Sequence, residues 1–315
     1  MRILVTGITG LGGHFAPHLV AAGHDVIGLS RAPERVGVDI PVIGGDATRP
    51  EDLDRALDGV EIAYFMIHSL EQGNTDGFAA RDRLIAHNFA TAARKAGVRR
   101  VIYFGVPPIA QAGHTSAHVR SRLEVEDILT AATPESVAVG AFTIVTARSR
   151  SFRVLLNLLA ASPVVPLPPW RHHVTQPMDA RDVFACLIAA ATHPDIGGRR
   201  LRIGGPELMS WNTLLRRLAA HMNLRRLFVP TPFDVPPVAS KALTTFNGGN
   251  PALLLPLLET INAGDITIAD NGADTLGVTL HPIQQTLSEA VIEFNNGSWR
   301  ATEGQPSEPV RTYIV

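Results

Sequence analysis

The stretch that decides the fold is Arg2–Gly13, RILVTGITGLGG, at the start of the chain. Its first residues are apolar and predict a buried strand, and the segment that follows has the pattern of a helix. Gly7, Gly10 and Gly13 are spaced by three residues, as in turns where the backbone approaches a pyrophosphate and a helix packs closely on a strand. Because a strand precedes these glycines and a helix follows them, the stretch predicts a dinucleotide-binding loop. A glycine-rich turn without a ligand is the plain alternative.

Outward from this stretch, short apolar runs alternate with helical patterns. Strands are predicted at Arg2–Thr6, Asp25–Leu29, Pro41–Gly44, Glu61–Ile67, Val101–Phe104 and Val137–Val145, and helices up to Ala22 and at Ala47–Gly59, Asp76–Ala96 and Ala117–Ala131. Thr48 and Glu51 match a capping box that would start the second of these helices. Strand–helix alternation at this spacing predicts right-handed βαβ units. The predicted fold class is α/β, a Rossmann-like doubly wound parallel sheet with a smaller C-terminal substrate lobe.

The pattern is less regular after Val145. Helices are predicted at Ser151–Ala160, at Ala180–Thr192 with Asp179 as its cap, at Ser210–His221 and at Ile283–Asn295, a short strand at Leu201–Gly204, and proline-rich loops at Pro163–Pro177 and Phe228–Pro237. We therefore expect a dinucleotide-binding core over residues 1–150 and a mixed substrate-binding lobe over 151–296, from which some segments return to the core. Residues 297–315 are expected to form a tail.

Composition excludes several classes of protein. The chain has 315 residues, a net charge of −1 and one cysteine, Cys186. Near-neutral charge argues against binding nucleic acid mainly by phosphate neutralisation. A single cysteine excludes an intrachain disulfide and a multi-thiolate metal site, and it suits a reducing cytoplasm. The longest apolar runs are far shorter than the ~20 residues of a membrane-spanning helix. We expect a cytoplasmic protein with a small-molecule substrate, no metal, no nucleic acid and no membrane.

The residues at the end of the second predicted strand indicate which dinucleotide binds. Ser30 and Arg31, with Arg35 nearby, stand where an acidic residue would bind a free ribose 2′-hydroxyl, which favours NADP(H) over NAD(H). A solvated surface arginine is the alternative. Asp46 is placed to receive the adenine amino group, or else serves as a turn or cap residue. The predicted cofactor contacts are Gly7, Thr9, Gly10, Leu11, Gly12, Gly13, Ser30, Arg31, Arg35, Asp46, Ala47, Phe65, Met66, Ile67 and Gly105.

Several segments resemble the NmrA-like, NAD(P)-binding group of atypical short-chain dehydrogenase/reductases. They are TGITGLGG, GGDATRPEDL, SAHVRSRLEVEDIL, SFRVLLNLL, TQPMDARDV and LRIGGPELMSW, which span Met1–Asn212 in the group's order. The resemblance implies a Rossmann fold and a nicotinamide cofactor. It does not specify a reaction, because the group includes reductases, isomerases, redox sensors and assembly factors. In many relatives the helices that correspond to 76–96 and 117–131 form a dimer surface, so a homodimer is one implied state.

The resemblance also shows that this chain lacks the catalytic residues of the larger family. Working members of the larger family use a Ser, a Tyr and a Lys, but here the expected serine is missing from Gly105–Pro108, and the Tyr-x-x-x-Lys pair falls on His118 and Arg122. These two lie one helical turn apart and could both face the nicotinamide. With Ser116 they are the candidate catalytic residues. The alternatives are a backbone-bonded His118, an i,i+4 pair of Arg122 with Glu126, and helix capping by Ser116.

The function expected from these observations is an NADPH-dependent ketoreductase acting on a small, mostly apolar molecule. The proton would come from water or from the substrate, as a phenol of an aromatic polyketide could supply it, and some triad-deficient relatives serve antibiotic biosynthesis. The competing hypothesis is a non-catalytic NADP(H)-binding redox sensor or assembly protein. An isomerase or epimerase with transient oxidation is a third, for which the sequence shows no base.

Overall fold

The computed structural model describes residues 1–67, 77–106, 117–232, 261, 264, 265, 268 and 270–297, with the backbone alone for residues 117–119. In chain order, the described strands are β1 (Arg2–Val5), β2 (Asp25–Ser30), β3 (Val42–Gly44), β4 (Ile62–Phe65), β5 (Arg100–Gly105), β6 (Val137–Ala141), β7 (Ile144–Val145), β8 (Val164–Leu167), β9 (Val174–Thr175), β10 (Met178–Asp179), β11 (Arg200–Ile203), β12 (Met209–Ser210) and β13 (Leu227–Pro230). The described helices are α1 (Leu11–Ala21), α2 (Pro50–Leu57), α3 (Phe78–Lys95), α4 (Ala117–Thr130), α5 (Arg150–Ala161), α6 (Ala180–Thr192), α7 (Trp211–His221), α8 (Gly272–Thr275) and α9 (Ile283–Asn295).

Seven parallel strands form the central sheet, in the order β3-β2-β1-β4-β5-β6-β11. The chain builds the sheet outward from β1 to one side and then from β4 to the other. The carboxyl ends of β1 and β4 therefore border the crevice where ligands of open α/β sheets bind. This arrangement confirms the predicted fold class. The strand β11 comes from the second half of the chain and completes the sheet beside β6.

Apolar helix faces cover both sides of the sheet. On one side α1 and α6 contribute Phe15 and Leu187 to a buried cluster, and on the other α2, α3 and α4 form a second cluster around Phe89. Full burial of a side chain of this size contributes about 1.5–3 kcal/mol. Tyr64 of β4 joins the layers, because its ring packs edge-on against Phe15 with centroids 4.9 Å apart and its hydroxyl donates to the Leu187 carbonyl at 2.8 Å.

A third buried cluster is built from residues of the second half of the chain, among them Leu156, Val165, Leu214 and Leu287. They come from α5, β8, α7 and α9. The domain division at residue 150 stays a prediction, and the tail beyond residue 297 lies outside the described residues. Among the described helices, none combines the length and the apolar character that crossing a bilayer requires.

Two predicted elements differ from the structure near the sheet. The strand predicted at Val137–Val145 is two strands, because β6 stays in the central sheet and β7 pairs with β10. The capping box is wrong, because α2 starts at Pro50 and has Arg49 as its N-cap. The fixed φ of proline suits the first helical position. The backbone and hydroxyl of Thr48 instead donate to the carboxylate of Asp46, both at 2.9 Å.

The proline-rich loops also contain short strands that the sequence did not predict. Strands β8 and β13 pair in parallel in a separate two-stranded sheet, and β9 pairs with β12. Both strands of a two-stranded sheet are edge strands, where proline is tolerated because one side needs no ladder donors. Pro166 and Pro230 occupy such positions.

We expect Tyr64→Phe to lower the free energy of unfolding by about 1–2 kcal/mol, because it removes a buried hydrogen bond between the sheet and α6. Urea denaturation measures the change. Leu208→Ala is the control, since Leu208 is exposed and its truncation should change stability by less than about 0.5 kcal/mol. Equal effects of the two substitutions would contradict the role given to the Tyr64 hydroxyl.

Candidate functional site

The turn from β1 into α1 leaves no room for a side chain at Gly7, Gly12 or Gly13. Gly7 has φ +66°, and a Cβ atom there would lie 2.2 Å from the carbonyl oxygen of Met66. A Cβ atom on Gly13 would lie 2.3 Å from the carbonyl oxygen of Ile8. Gly7 therefore lets the glycine-rich loop lie against the end of β4, and Gly13 lets α1 pack on the loop. The positive φ of Gly7 suits the tight turn predicted for it, whereas its contact with the end of β4 was not predicted.

The first turn of α1 is suited to an anion. Gly10 is its N-cap, no described side chain caps the helix, and the first turn has no acidic residue. The leading N–H groups of a helix lack partners within it and carry the positive end of its dipole. A phosphate at such a helix start is a recurrent arrangement. Leu11 and Gly12 lie in this turn, and Thr9 precedes its cap.

Thr6 joins the ends of β1 and β4, and the sequence did not single it out. Its hydroxyl donates to the Tyr64 carbonyl and accepts the N–H of Met66, both at 3.0 Å, and the residue is completely buried. The backbone that follows β4 is therefore fixed against the glycine-rich loop. A hydroxyl residue directly before the first glycine was the only local signal for this role.

Phe65, the last residue of β4, and the two residues after it keep most of their side-chain surface away from solvent. The side chains of Phe65 and Met66 are buried, and the Phe65 ring packs against Phe89 with centroids 5.2 Å apart. Ile67 is half-buried. Contact of these three residues with a cofactor stays a prediction.

The predicted adenosine end brings together residues of β2, β3 and α3. Ser30 is buried at the end of β2, and its hydroxyl accepts the N–H of Ala32 at 3.1 Å. Arg31 is exposed. Arg35 is also exposed, with its guanidinium 3.8 Å from the carboxylate of Glu34. No acidic side chain ends β2, which agrees with the sequence-based argument.

Asp46 has one of the two roles weighed from the sequence and also a neighbour that the sequence did not suggest. Its carboxylate accepts the two bonds from Thr48 and lies 3.6 Å from the guanidinium of Arg81 on α3. Burial opposes ionisation of Asp46, but the bonds from Thr48 and the charges of Arg81 and Arg31 outweigh it and lower the pKa. The turn role is therefore confirmed. Contact of Asp46 and of Ala47 with adenine stays a prediction.

The candidate catalytic residues are only partly described. Ser116 and the side chain of His118 lie outside the described residues. Arg122 is buried, with its guanidinium paired to Asp82 of α3 and donating to the Ile67 carbonyl at 3.1 Å. The proposed pair of Arg122 with Glu126 is wrong. Glu126 instead binds Arg202 of β11 through two bonds of 2.6 and 3.0 Å, because that side of α4 faces the sheet edge.

Two tyrosines lie in the described part of the chain, and both hydroxyls are used in the core. Tyr64 donates to the Leu187 carbonyl, and Tyr103 donates to the carbonyl of Arg122 at 3.2 Å. Burial raises the pKa of both phenols, that of Tyr103 to about 12. The Tyr103 ring covers Gly105, where an added Cβ atom would lie 2.3 Å from the Tyr103 hydroxyl. Neither phenol is placed as a free proton donor.

Residues 7–135 match the family model for NAD(P)H-binding proteins. The match is limited to the first half of the chain and agrees with the resemblance to NAD(P)-binding atypical short-chain dehydrogenase/reductases there. The fold that the resemblance implies is confirmed. Among curated proteins, a ceramide reductase of Caulobacter vibrioides is 26% identical over 235 residues, which cover 73% of this chain and 73% of that protein.

Solved structures share the fold. A triphenylmethane reductase of Citrobacter sp. has a TM-score of 0.71 at 18% identity, covering 93% of this chain and 100% of that one. The same reductase has also been solved with NADP(H). A UDP-glucose 4-epimerase of Thermotoga maritima has a TM-score of 0.71 at 14% identity, covering 93% of this chain and 98% of that one.

We expect Gly7→Ala to destabilise the protein more than Gly97→Ala and to weaken NAD(P)H binding selectively. Both positions have positive φ, so both substitutions incur the backbone cost of about 1–2 kcal/mol. Only Gly7 has a backbone oxygen in the way, whereas Gly97 has no atom within 4 Å of an added Cβ. Urea denaturation and titration of NAD(P)H fluorescence provide the two measurements. Equal losses in both variants would contradict the packing argument.

Proposed function

We propose that the protein is an NADPH-dependent reductase of a ketone on a small, mostly apolar molecule. The observation that carries the proposal is the glycine-rich turn between β1 and α1, which lies against the end of β4 at Gly7 and leads into a helix start that no described side chain caps. A turn of this kind fits the pyrophosphate of a nicotinamide dinucleotide. Bound NADPH supplies a hydride. Two relatives are named as reductases of a ceramide and of triphenylmethane dyes, and these names favour an apolar substrate.

Three arginines support a preference for NADP(H) over NAD(H). Arg31 and Arg81 approach Asp46 from two elements, and Arg35 lies four residues beyond Arg31. The negative charge of Asp46 can balance one of these three positive charges and Glu34, 3.8 Å from Arg35, a second, whereas the bonds from neutral Thr48 leave the charge of Asp46 unchanged. An excess of positive charge at this end favours a ribose 2′-phosphate over a 2′-hydroxyl. Arg81 is the member of this group that only the structure identifies.

Reduction of a ketone also requires a proton, and the described phenols do not provide one. Negative charge develops on the carbonyl oxygen and needs a proton or a fixed field. Our proposal is that water or a hydroxyl of the substrate supplies the proton, as the phenol of an aromatic polyketide would. His118 is the alternative donor on α4, and Ser116 the alternative hydrogen-bond donor before it. A homodimer through α3 and α4 also stays a proposal.

One observation favours a second function, that of a non-catalytic NADP(H) sensor or assembly protein. The lysine position of the family is occupied by Arg122, whose guanidinium pairs with Asp82 inside the protein. Both described tyrosines are also bonded to backbone carbonyls. A sensor would bind the two redox forms of the cofactor differently and would oxidise no NADPH with any ketone.

We expect Arg81→Gln to weaken NADPH binding about tenfold and NADH binding much less, because one charge near the 2′-phosphate is lost. Fluorescence titration of both cofactors provides the measurement. Arg83→Gln is the matched control. It lies two residues away on α3, pairs with Glu124 and faces solvent. A loss of NADPH affinity equal to that of the control, or an equal loss for NADH, would contradict a role in 2′-phosphate recognition.

Single-turnover kinetics with NADPH and hydroxy-aryl ketones test the reaction. In the substrate-assisted route, His118→Phe and Ser116→Ala should each keep the wild-type rate, and blocking the substrate phenol as its methyl ether should slow the reaction strongly. A large rate loss in His118→Phe with unchanged NADPH affinity would instead make His118 the proton donor. No oxidation of bound NADPH with any ketone would favour the sensor.

A further inference from the structure

A buried ion pair joins α3 and α4 behind the crevice. The side chains of Asp82 and Arg122 are 3% and 2% exposed, and the two groups form a direct contact. The same carboxylate oxygen of Asp82 accepts the hydroxyl of Ser121 at 3.4 Å. The other terminal nitrogen of Arg122 donates to the carbonyl of Ile67 at 3.1 Å. One guanidinium therefore links a buried carboxylate to the backbone just beyond β4.

Stability alone is a weak reason for such a pair. Removing two charges from water is costly, and an apolar pair of similar volume is often as stable or more stable. What a buried pair does provide is a fixed position for its groups, because breaking it leaves an unpaired buried charge. Here the fixed group is the guanidinium of Arg122, and the atom that it holds in place is the carbonyl oxygen of Ile67.

The backbone from Tyr64 to Ile67 is fixed at both ends by these contacts. Thr6 holds the carbonyl of Tyr64 and the N–H of Met66, and Gly7 lies against the carbonyl of Met66. Arg122 holds the following carbonyl, that of Ile67. We refer to residues 64–67 as the β4 shelf. Its shape depends on one hydroxyl from β1 and one guanidinium from α4.

The β4 shelf lies on the nicotinamide side of the crevice. The pyrophosphate of a dinucleotide sits at the start of α1, and the adenosine extends toward the end of β2. The nicotinamide half must then extend the other way across the sheet, past the end of β4. With Asp82 in place the ion pair has no net charge. A positively charged nicotinamide ring therefore meets little repulsion there.

We propose that Asp82 is a positioning residue that acts through Arg122, holding the guanidinium on the Ile67 carbonyl and balancing its charge, so that the nicotinamide half of NADP(H) meets a fixed and neutral β4 shelf. The inference rests on the proposed function, because it requires NADP(H) in the crevice. It differs from a direct bond between Arg122 and the ribose, in which Asp82 would have no separate effect on the cofactor.

The test is the ratio of the dissociation constants for NADP⁺ and NADPH, measured by calorimetry and by fluorescence. Asp82→Asn leaves the Arg122 charge unbalanced, so it should weaken NADP⁺ binding relative to NADPH binding by about threefold or more. Arg122→Gln leaves the Asp82 charge and should shift the same ratio in the opposite direction. A loss of packing alone would weaken both redox forms alike, so the opposite signs identify the charge balance.

The double variant Asp82→Asn, Arg122→Gln keeps the measurement usable if either single variant fails to fold. It contains no buried charge at the pair, so it should restore the wild-type ratio while both affinities fall several-fold, because the Ile67 carbonyl is no longer held. The matched controls are Arg83→Gln and Glu124→Gln, which break an exposed pair on the same two helices. They should leave the ratio and the affinities unchanged.

Three outcomes would overturn the proposal. The first is an Asp82→Asn variant with wild-type affinities and ratio, which would leave Arg122 as a direct contact. The second is a shift of the same sign in both single variants. The third is a double variant that binds both redox forms as tightly as the wild type. Failure of the wild-type protein to bind either NADP⁺ or NADPH would be a separate result, because it would refute the proposed function itself.

Discussion

The close approach of the glycine-rich loop to the end of β4 is the constraint on which the site depends. The Gly7 backbone and the Met66 carbonyl are too close to admit even one methyl group between them. This contact puts the loop directly over the crevice between β1 and β4, and Thr6 secures it with two hydrogen bonds. The position of the first turn of α1, and with it the place for a pyrophosphate, follows from the same contact.

Polar groups near this crevice are mostly committed to one another. The two described phenols hold backbone carbonyls, Thr6 holds the end of β4, and Arg122 pairs with Asp82. A buried polar group without a partner would cost about 1–3 kcal/mol. The consequence is few free proton donors among the described residues of the crevice, and polar groups whose positions are fixed by their partners. Fixed positions would suit the proposed hydride transfer, since the reacting atoms must be aligned.

Patterns of neighbouring residues predicted most of the fold. They did not predict contacts between side chains that are far apart in the sequence. The strand, glycines and helix of residues 2–21 are contiguous, so their pattern is visible in the sequence. Helix α9 was likewise predicted with its observed bounds, because its apolar period is regular. The capping box failed because Pro50 starts α2 and Asp46 engages Thr48. The partners of Arg122 could not be predicted, because Asp82 and Ile67 are brought to it by the packing of α3, α4 and β4.

The buried pair of Asp82 and Arg122 changes what the loss of the family's lysine does to the charge near the nicotinamide. A lysine replaced by an exposed arginine would keep a positive charge at the nicotinamide, but an arginine neutralised by a buried aspartate does not. In the proposed reductase the field at the reacting carbonyl must then come from the substrate, from water or from a residue on α4. A substrate with its own acidic hydroxyl needs least from the protein, because the proton and the field arrive with it. In the proposed reductase, the neutral β4 shelf therefore favours an apolar, hydroxyl-bearing ketone as the substrate class.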